Sequence, residues 1–408
     1  MSVRPLIDAD GLAAQPGAVV LDATVALPAP AHDGDHRAAS GRDAWERAHI
    51  PGSVHADLLH ELSDQSAPYH FARPDPDTLA RQLGALGVTD GATVVVYDTG
   101  GGIWAARLWW LLRWIGVDAA VLDGGLAAWA AAGHPVASGP ATPEPGTLTP
   151  RVRGGLWVDR PDLEGWMAGD AAATVVCALS PEVFRGDVPT RYARRGHIPG
   201  SINLPARALA ELLLSPAELR SALDPLVESP DPVWVYCGGG ISAASLALAL
   251  ALAGRDDVAV YDGSLEEWAA DPELPLSSDK LSPAVRALLD APEFAVLSTL
   301  DPDGSPHATV MWVGRDGDAL VLASKNGRRQ VRNLRRDPRA TVLVYERAKP
   351  TRYVEVRGTA TLHEDGARDV VDRLARAYIG ADHAAGPADQ ERDRVVIRIA
   401  PERVYHRG

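Results

Sequence analysis

The stretch Pro232-Val233-Trp234-Val235-Tyr236-Cys237-Gly238-Gly239-Gly240-Ile241-Ser242, followed by the apolar run from Ala243 to Ala253, decides the fold. The β-branched and aromatic residues before Cys237 read as a buried strand, the glycines as a tight turn, and the apolar run as a helix. A turn from a strand into a helix N-terminus gathers free backbone N–H groups at the positive end of the helix dipole. An anion is favoured there, so the Cys237 thiol is expected to ionise readily and act as a nucleophile. The commoner fate of a lone cysteine is a small buried apolar residue. Three glycines directly after it favour the reactive reading, because amides without neighbouring Cβ atoms can converge on one sulfur-sized anion.

Working outward from this stretch, the chain repeats itself. His49-Ile50-Pro51-Gly52-Ser53 recurs as His197-Ile198-Pro199-Gly200-Ser201, and the strand ending Tyr97-Asp98 recurs as the strand ending Tyr236-Cys237. Asp123-Gly124 before Trp129 recurs as Asp262-Gly263 before Trp268. Such self-similarity marks a duplicated domain. The first pair is offset by 148 residues and the other two by 139, so the first half carries nine extra residues, around Asp57 to Pro74. Apolar runs at Val19–Leu21, Thr93–Tyr97 and Ala119–Leu122 read as buried parallel strands, and Leu79–Leu86 and Ala105–Ile115 as covering helices. The fold class is α/β with two doubly wound parallel sheets. At the position of Cys237 the first half has Asp98, which cannot be a thiolate, so one reactive loop per chain is expected. Cys177, the other cysteine, falls on the apolar run Thr174–Ala178 and reads as core.

Composition bounds the partners. Residues 1–279 hold 18 Arg against 36 acidic residues, a balance of −18, while residues 280–408 hold 22 basic and 18 acidic residues, a balance of +4. All three lysines, Lys280, Lys325 and Lys349, fall in the second segment. The shift marks a domain of separate origin beginning near 280, and the acidic body argues against nucleic acid as a partner. Two cysteines make no disulfide framework, the N-terminus lacks a signal-peptide core, and the longest apolar run is too short for a bilayer. A soluble cytoplasmic protein with no membrane partner is expected.

These features together resemble the tandem rhodanese family, over about residues 5 to 272. The resemblance implies a rhodanese domain at 1–140 that is catalytically inert, a second at 150–275 with the active loop, and transfer of sulfane sulfur through a Cys237 persulfide. The substrate would be a small anionic sulfur donor and the acceptor a thiol, cyanide or a protein; no metal is implied. The loop, with Gly238, Gly239, Gly240, Ile241 and Ser242 around the substrate, is closer to the Cys-Gly-Ser-Gly-Val-Thr of 3-mercaptopyruvate sulfurtransferases than to the Cys-Arg-Lys-Gly-Val-Thr of thiosulfate sulfurtransferases. Gly239 stands where the former carry serine. Rhodanese-like phosphatases need an arginine six residues after the cysteine to grip phosphate, and Ala243 stands there instead. Arg185, in a Phe-Arg-Gly pattern, and Arg191, in competition with Arg194 and Arg195, match carboxylate-binding arginines of the family. Asp57 and His70 match in kind an acid and a histidine that reach the sulfur site from the first half, where a histidine could move a proton as pyruvate enolate leaves.

Beyond a Pro- and Asp-rich linker at 271–279 the pattern changes to short strands joined by Asp-Gly turns, with one amphipathic helix at Arg368–Tyr378. Lys325 to Arg339 holds seven basic residues against one acid. A phosphate-bearing cofactor, a nucleic-acid patch and a solvated helix face compete to explain it. The lack of interleaved aromatics weakens the second, and mutual repulsion of the cations favours an anionic cofactor. Residues 280–408 resemble the pyridoxamine 5′-phosphate oxidase-like split β-barrels, which implies binding of FMN or the deazaflavin coenzyme F-420 at a homodimer interface. Ser324, Lys325, Arg328, Arg329 and Gln330 would face the phosphate and ribityl part, with Val310 to Trp312 along the rings. A chain combining the two modules would be a sulfurtransferase with a flavin-type domain, or alternatively a sulfur-status sensor or a flavin-dependent oxidoreductase with an accessory rhodanese module.

Overall fold

The computed structural model describes residues 4–213, 215–277, 281, 283–383 and 394–407. The chain divides into two compact units, Met1–Ser277 and Ser278–Gly408.

In the first unit each half builds one five-stranded parallel sheet. The first contains β1 (Leu6–Ile7), β2 (Val19–Asp22), β3 (Val54–His55), β4 (Val94–Tyr97) and β5 (Ala119–Leu122), in the order β1-β5-β4-β2-β3. The helices α1 (Ile103–Trp114) and α2 (Gly125–Ala131) follow β4 and β5. The second sheet contains β6 (Trp157–Val158), β7 (Thr174–Cys177), β8 (Ile202–Asn203), β9 (Val233–Tyr236) and β10 (Val258–Tyr261), in the matching order β6-β10-β9-β7-β8. Its helices include α3 (Pro181–Arg185), α4 (Ile241–Leu252) after β9, and α5 (Ser264–Ala270) after β10. The strands β4, β5 and β10 are buried along their whole length, as strands covered on both faces must be.

The repeated motifs hold the repeat together. Tyr97 at the end of β4 hydrogen-bonds Ser53 Oγ at 2.9 Å and accepts from Ile50 N at 3.3 Å. Tyr236 at the end of β9 does the same with Ser201 Oγ at 2.7 Å and Ile198 N at 3.0 Å. Trp129 and Trp268 each donate their indole N–H to a proline carbonyl, Pro135 and Pro275. The His-Ile-Pro-Gly motifs are thus anchors for the strand that precedes each glycine turn.

The halves share one core. Helix α1 carries Trp104, Trp109, Trp110 and Trp114, and α4 offers Ala243, Ala244, Ala247 and Ala249; all eight are buried. Large rings against small side chains let the two helices interdigitate at native density. Arg107 of α1 and Asp262 after β10, each 1% exposed, pair at 2.6 Å across the halves. The helix expected over Leu79–Leu86 spans Pro76–Ala85, because Asp75 caps it by accepting from Thr78 N. The helix expected from Ala105 begins at Ile103, on Gly102 in a left-handed conformation (φ 84°).

The second unit is a seven-stranded antiparallel sheet, the split β-barrel expected. After α6 (Pro283–Asp290) come β11 (Ala295–Leu300), β12 (Pro306–Met311), β13 (Gly314–Asp316) and β14 (Ala319–Lys325). Then follow α7 (Arg329–Arg336), β15 (Arg339–Tyr345), β16 (Tyr353–His363), α8 (Ala367–Ile379) and β17 (Arg394–Arg407). The strand order is β12-β11-β15-β16-β17-β14-β13. Alternate residues of β11 and β15 are buried, the two-residue period of a sheet with one face in the core.

Candidate active site

Cys237 is 2% exposed and lies in the wall of a cavity of about 750 Å³ that opens between the two halves. The cavity is mostly apolar, with Leu27, Phe71, Ile103, Trp104, Leu179 and Val183 among its walls. Gly238, Gly239, Ile241 and Ser242 line it beside the sulfur. Within α4 the first amide bonded to a carbonyl of its own helix is that of Ala244, which reaches Gly240 at 3.2 Å. The amides of Ile241, Ser242 and Ala243 therefore lie ahead of the intrahelical ladder, at the positive end of the dipole. Gly240 faces away from the cavity. It has φ 75°, and a Cβ there would lie 2.9 Å from Arg107 Nη1 and 3.2 Å from Asp262 O.

Ser264 pins the loop from behind. Its hydroxyl accepts from the amides of Cys237 (3.0 Å) and Gly240 (3.1 Å) and donates to Tyr261 O (2.8 Å). It holds φ 49°, a left-handed conformation that costs a non-glycine residue energy. The next two amides complete the clamp: Leu265 N donates to Cys237 O at 3.1 Å and Glu266 N to Gly238 O at 2.8 Å. Sequence reasoning missed Ser264, although its place opposite Gly125 in the repeat was a usable signal.

The expected anion-binding arginines separate. Arg191 lines the cavity, donates Nη2 to the carbonyls of Leu27 (3.3 Å) and Pro28 (2.5 Å), and leaves a buried Nε without an acceptor among the described residues. Burial is the main influence lowering its pKa. Arg185 is not brought to the cavity. It ends α3 and is held by its sequence neighbours Asp187 (2.8 Å) and Glu182 (4.0 Å). The cation that joins Arg191 in the cavity wall is Arg207, an exposed residue just after β8 that sequence reasoning did not single out. Tyr192 also lines the cavity; its buried hydroxyl has no partner among the described residues, and burial holds its pKa far above the ordinary range.

Asp57 is likewise corrected. It does not line the cavity, and its carboxylate accepts from the amides of Leu59 (2.9 Å) and His60 (3.1 Å) and pairs with the His60 ring at 3.2 Å. It caps a turn, a role that residue type and approximate spacing could not tell from a catalytic one. His70 is nearer the site: its backbone carbonyl lies 3.7 Å from where a Cβ on Gly239 would sit. Its ring hydrogen-bonds Glu266 and stacks on His36 with centroids 3.6 Å apart. Glu266 and His36 both line the cavity, and neither was singled out in the sequence. Burial pushes the Glu266 carboxyl up, and burial followed by the His70 charge pushes His36 down to about 4. Cys177 is fully buried on β7, its thiol pushed up by burial to about 12.

In the second unit Val310, Trp312, Ser324, Lys325, Arg328, Arg329 and Gln330 line one cavity of about 620 Å³, together with His307 and Thr309. The polar floor is built: Gln330, buried, donates to Ser324 Oγ at 3.0 Å. Three cations of the basic run have carboxylate partners within the barrel. Arg329 pairs with Asp301 (Nε–Oδ1 2.8 Å), Arg339 with Asp337 (2.6 Å) and Arg335 with Glu364 (3.6 Å). Arg332 and Arg336 donate to the carbonyls of Gly327 and Leu300.

The rhodanese-like domain model matches residues 31–132 and 185–271, and the pyridoxamine 5′-phosphate oxidase model matches 281–408. A Pseudomonas aeruginosa protein named "Probable 3-mercaptopyruvate sulfurtransferase" is 34% identical over 294 residues, 68% of this chain and 99% of the relative. The chain belongs to the rhodanese sulfurtransferase family. A thiosulfate sulfurtransferase of Cricetulus griseus is 34% identical over 278 residues, 65% of this chain and 90% of the relative. Among solved structures, the 3-mercaptopyruvate sulfurtransferase SseA of Escherichia coli matches with a TM-score of 0.56 and 30% identity, over 64% of this chain and 99% of that one. The protein is thus a sulfurtransferase with a C-terminal split barrel. Among the described residues no helix is long and apolar enough to cross a membrane.

Proposed function

We propose that Cys237 carries the sulfur and that a 3-mercapto-2-oxo acid serves as donor in preference to thiosulfate. The observation behind the reading is the placement of Cys237 in a largely apolar cavity, at a helix N-terminus, with Arg191 and Arg207 in the same wall. The Cys237 thiolate attacks the donor sulfur, the donor C–S bond breaks, and its electron pair leaves on carbon as pyruvate enolate, which takes a proton to become pyruvate. A persulfide remains on Cys237, and an external thiol, cyanide or a protein thiol takes its outer sulfur. A donor carboxylate would supply the acceptor that Arg191 Nε lacks. No basic side chain stands at Gly238 or Gly239 to hold a thiosulfate dianion. The test is steady-state kinetics with both donors. A higher kcat/KM for 3-mercaptopyruvate supports the reading, and a clear preference for thiosulfate overturns the donor assignment while leaving Cys237 as carrier.

For the second unit the reading is a homodimeric barrel that binds FMN or the deazaflavin coenzyme F-420. The donor set suits a phosphate: the Arg328 side chain is exposed with no partner among the described residues, and Ser324, Lys325 and Arg329 border the same cavity. The bound ring system would supply hydride or electron transfer; the chain would hold the phosphate with these cations and pack the rings along Val310 to Trp312. Both cysteines are unpaired, which fits a reducing, cytoplasmic setting. A cofactor-dependent rise in the melting temperature of the full-length protein, lost in Arg328→Ala, is the expected result. No shift with either cofactor at near-millimolar concentration would leave the barrel a structural module.

A further inference from the structure

We propose that His36, His70 and Glu266 form a binding site for a divalent first-row transition ion, for which zinc is the probe. Among the described residues these are the three metal-ligating side chains whose donor atoms all lie within 4.8 Å of one another. His36 lies in the loop before Ala39–Ser40, His70 in the nine-residue excess of the first half, and Glu266 in α5 of the second half. Three long separations in sequence therefore converge at one point across the halves. The Glu266 carboxylate already contacts His70 Nδ1, and the His36 ring is stacked on the His70 ring with 9° between the planes. With metal–ligand bonds near 2.0–2.1 Å, tetrahedral ligand atoms lie about 3.3 Å apart. The group needs a contraction of about 1.5 Å at most, an opening of the close His70–Glu266 contact and a turn of the His36 ring, all within reach of partly exposed side chains.

Two imidazoles and one carboxylate are a donor set of intermediate hardness, suited to zinc and its neighbours rather than to magnesium or calcium. Three protein ligands leave a position open, the pattern of a site that exchanges ligands. His36 and Glu266 line the Cys237 cavity, while His36 and His70 line an adjoining cleft of about 390 Å³ with His60 and Asp64. The ion would sit in the wall between the two, where an anionic sulfur compound in the cavity could take the open position. Because its ligands come from both halves, it would also tie them together and raise the unfolding temperature by mass action. Nothing in this site depends on the identity of the sulfur donor.

The test uses the full-length protein freed of metal. Titration with Zn²⁺ followed by calorimetry, and with Co²⁺ followed by visible absorption, is expected to show one ion per chain with a Kd of about 10 μM or tighter. The Co²⁺ spectrum should show four- or five-coordinate d–d bands without a thiolate charge-transfer band. His36→Ala and Glu266→Gln should each weaken binding at least about tenfold, and Cys237→Ser should leave the affinity unchanged. The tryptophan-fluorescence melting curve of each metal-free variant checks that it is folded; His36→Ala, which removes a partly exposed ring, carries the test if Glu266→Gln does not fold. Binding weaker than about 100 μM, or binding lost in Cys237→Ser and retained in His36→Ala, overturns the proposal.

Discussion

The two glycine turns of the first unit are built on one plan and filled with opposite things. In the first half Asp98 fills its own cradle: its carboxylate accepts from the amides of Gly100 (2.7 Å), Gly102 (2.8 Å), Trp104 (2.8 Å) and Ala105 (2.9 Å). In the second half Cys237 stands at that place, and the helix begins four residues later instead of five. The shortened turn changes what lies behind it. Opposite Asp98 the chain has Gly125, where a Cβ would lie 2.1 Å from Asp98 O, whereas opposite Cys237 it has Ser264, whose hydroxyl binds the loop amides. The comparison shows a turn whose amides gather on one acceptor, although burial outweighs them and pushes the Asp98 carboxyl up. One copy spends that capacity on its own side chain, and the other leaves the amides of Ile241 to Ala243 for a sulfur anion.

The largest expected effect breaks the comparison at its centre. Cys237→Ser should abolish sulfur transfer from either donor, since an oxygen nucleophile forms no persulfide. Cys177→Ser should retain most of it. Burial holds the Cys177 thiol in its protonated form well above the ordinary thiol range, so folded Cys237→Ser protein should take up almost no iodoacetamide at pH 8, and should do so readily in denaturant.

The next effect sharpens the anion-site claim. Asp98→Ala strands four buried amides and should destabilise the first unit by about 3 kcal/mol, with Asp98→Asn costing about half as much. Ten of the eleven tryptophans precede residue 278, so the fluorescence transition in urea reports this unit. A loss below about 0.5 kcal/mol for Asp98→Ala would show that the amides gain nothing from the carboxylate.

Smaller effects distinguish the arginines. Arg191→Ala and Arg207→Ala should each lower kcat/KM for an anionic donor about tenfold to thirtyfold, the scale of one charge-assisted contact. Arg185→Ala, with its side chain held by Asp187, should cost less than about threefold. Smallest is the difference between two glycines of like conformation. Gly102→Ala meets open space and should cost only its left-handed strain, about 1 kcal/mol, whereas Gly240→Ala also meets Arg107 and should cost more.

Much of this was legible in the sequence, because the signals were local. The strand–glycine–helix pattern around Cys237, the paired motifs and the change of period near 280 each depend on residues close in the chain. The site residues that escaped detection are those that only folding brings together. Arg207, Glu266 and His36 carry no pattern of their own and reach the cavity from three separate segments, while Ser264 holds the loop from behind. Asp57 and Arg185 misled for the opposite reason: each has the right residue type in about the right place, but local partners use up its charge. Asp301 and Glu364, distant in sequence, pair with Arg329 and Arg335 of the basic run, contacts that a count of local charges leaves out.

The central claim is that Cys237, alone of the two cysteines, holds the transferred sulfur. Its most direct test is mass spectrometry of the full-length protein after brief exposure to 3-mercaptopyruvate without acceptor, followed by peptide mapping. The account expects a mass gain of one sulfur atom on the peptide containing Cys237, reversed by cyanide and absent in Cys237→Ser. Sulfur mapped to Cys177, or a gain that survives in Cys237→Ser, would contradict it.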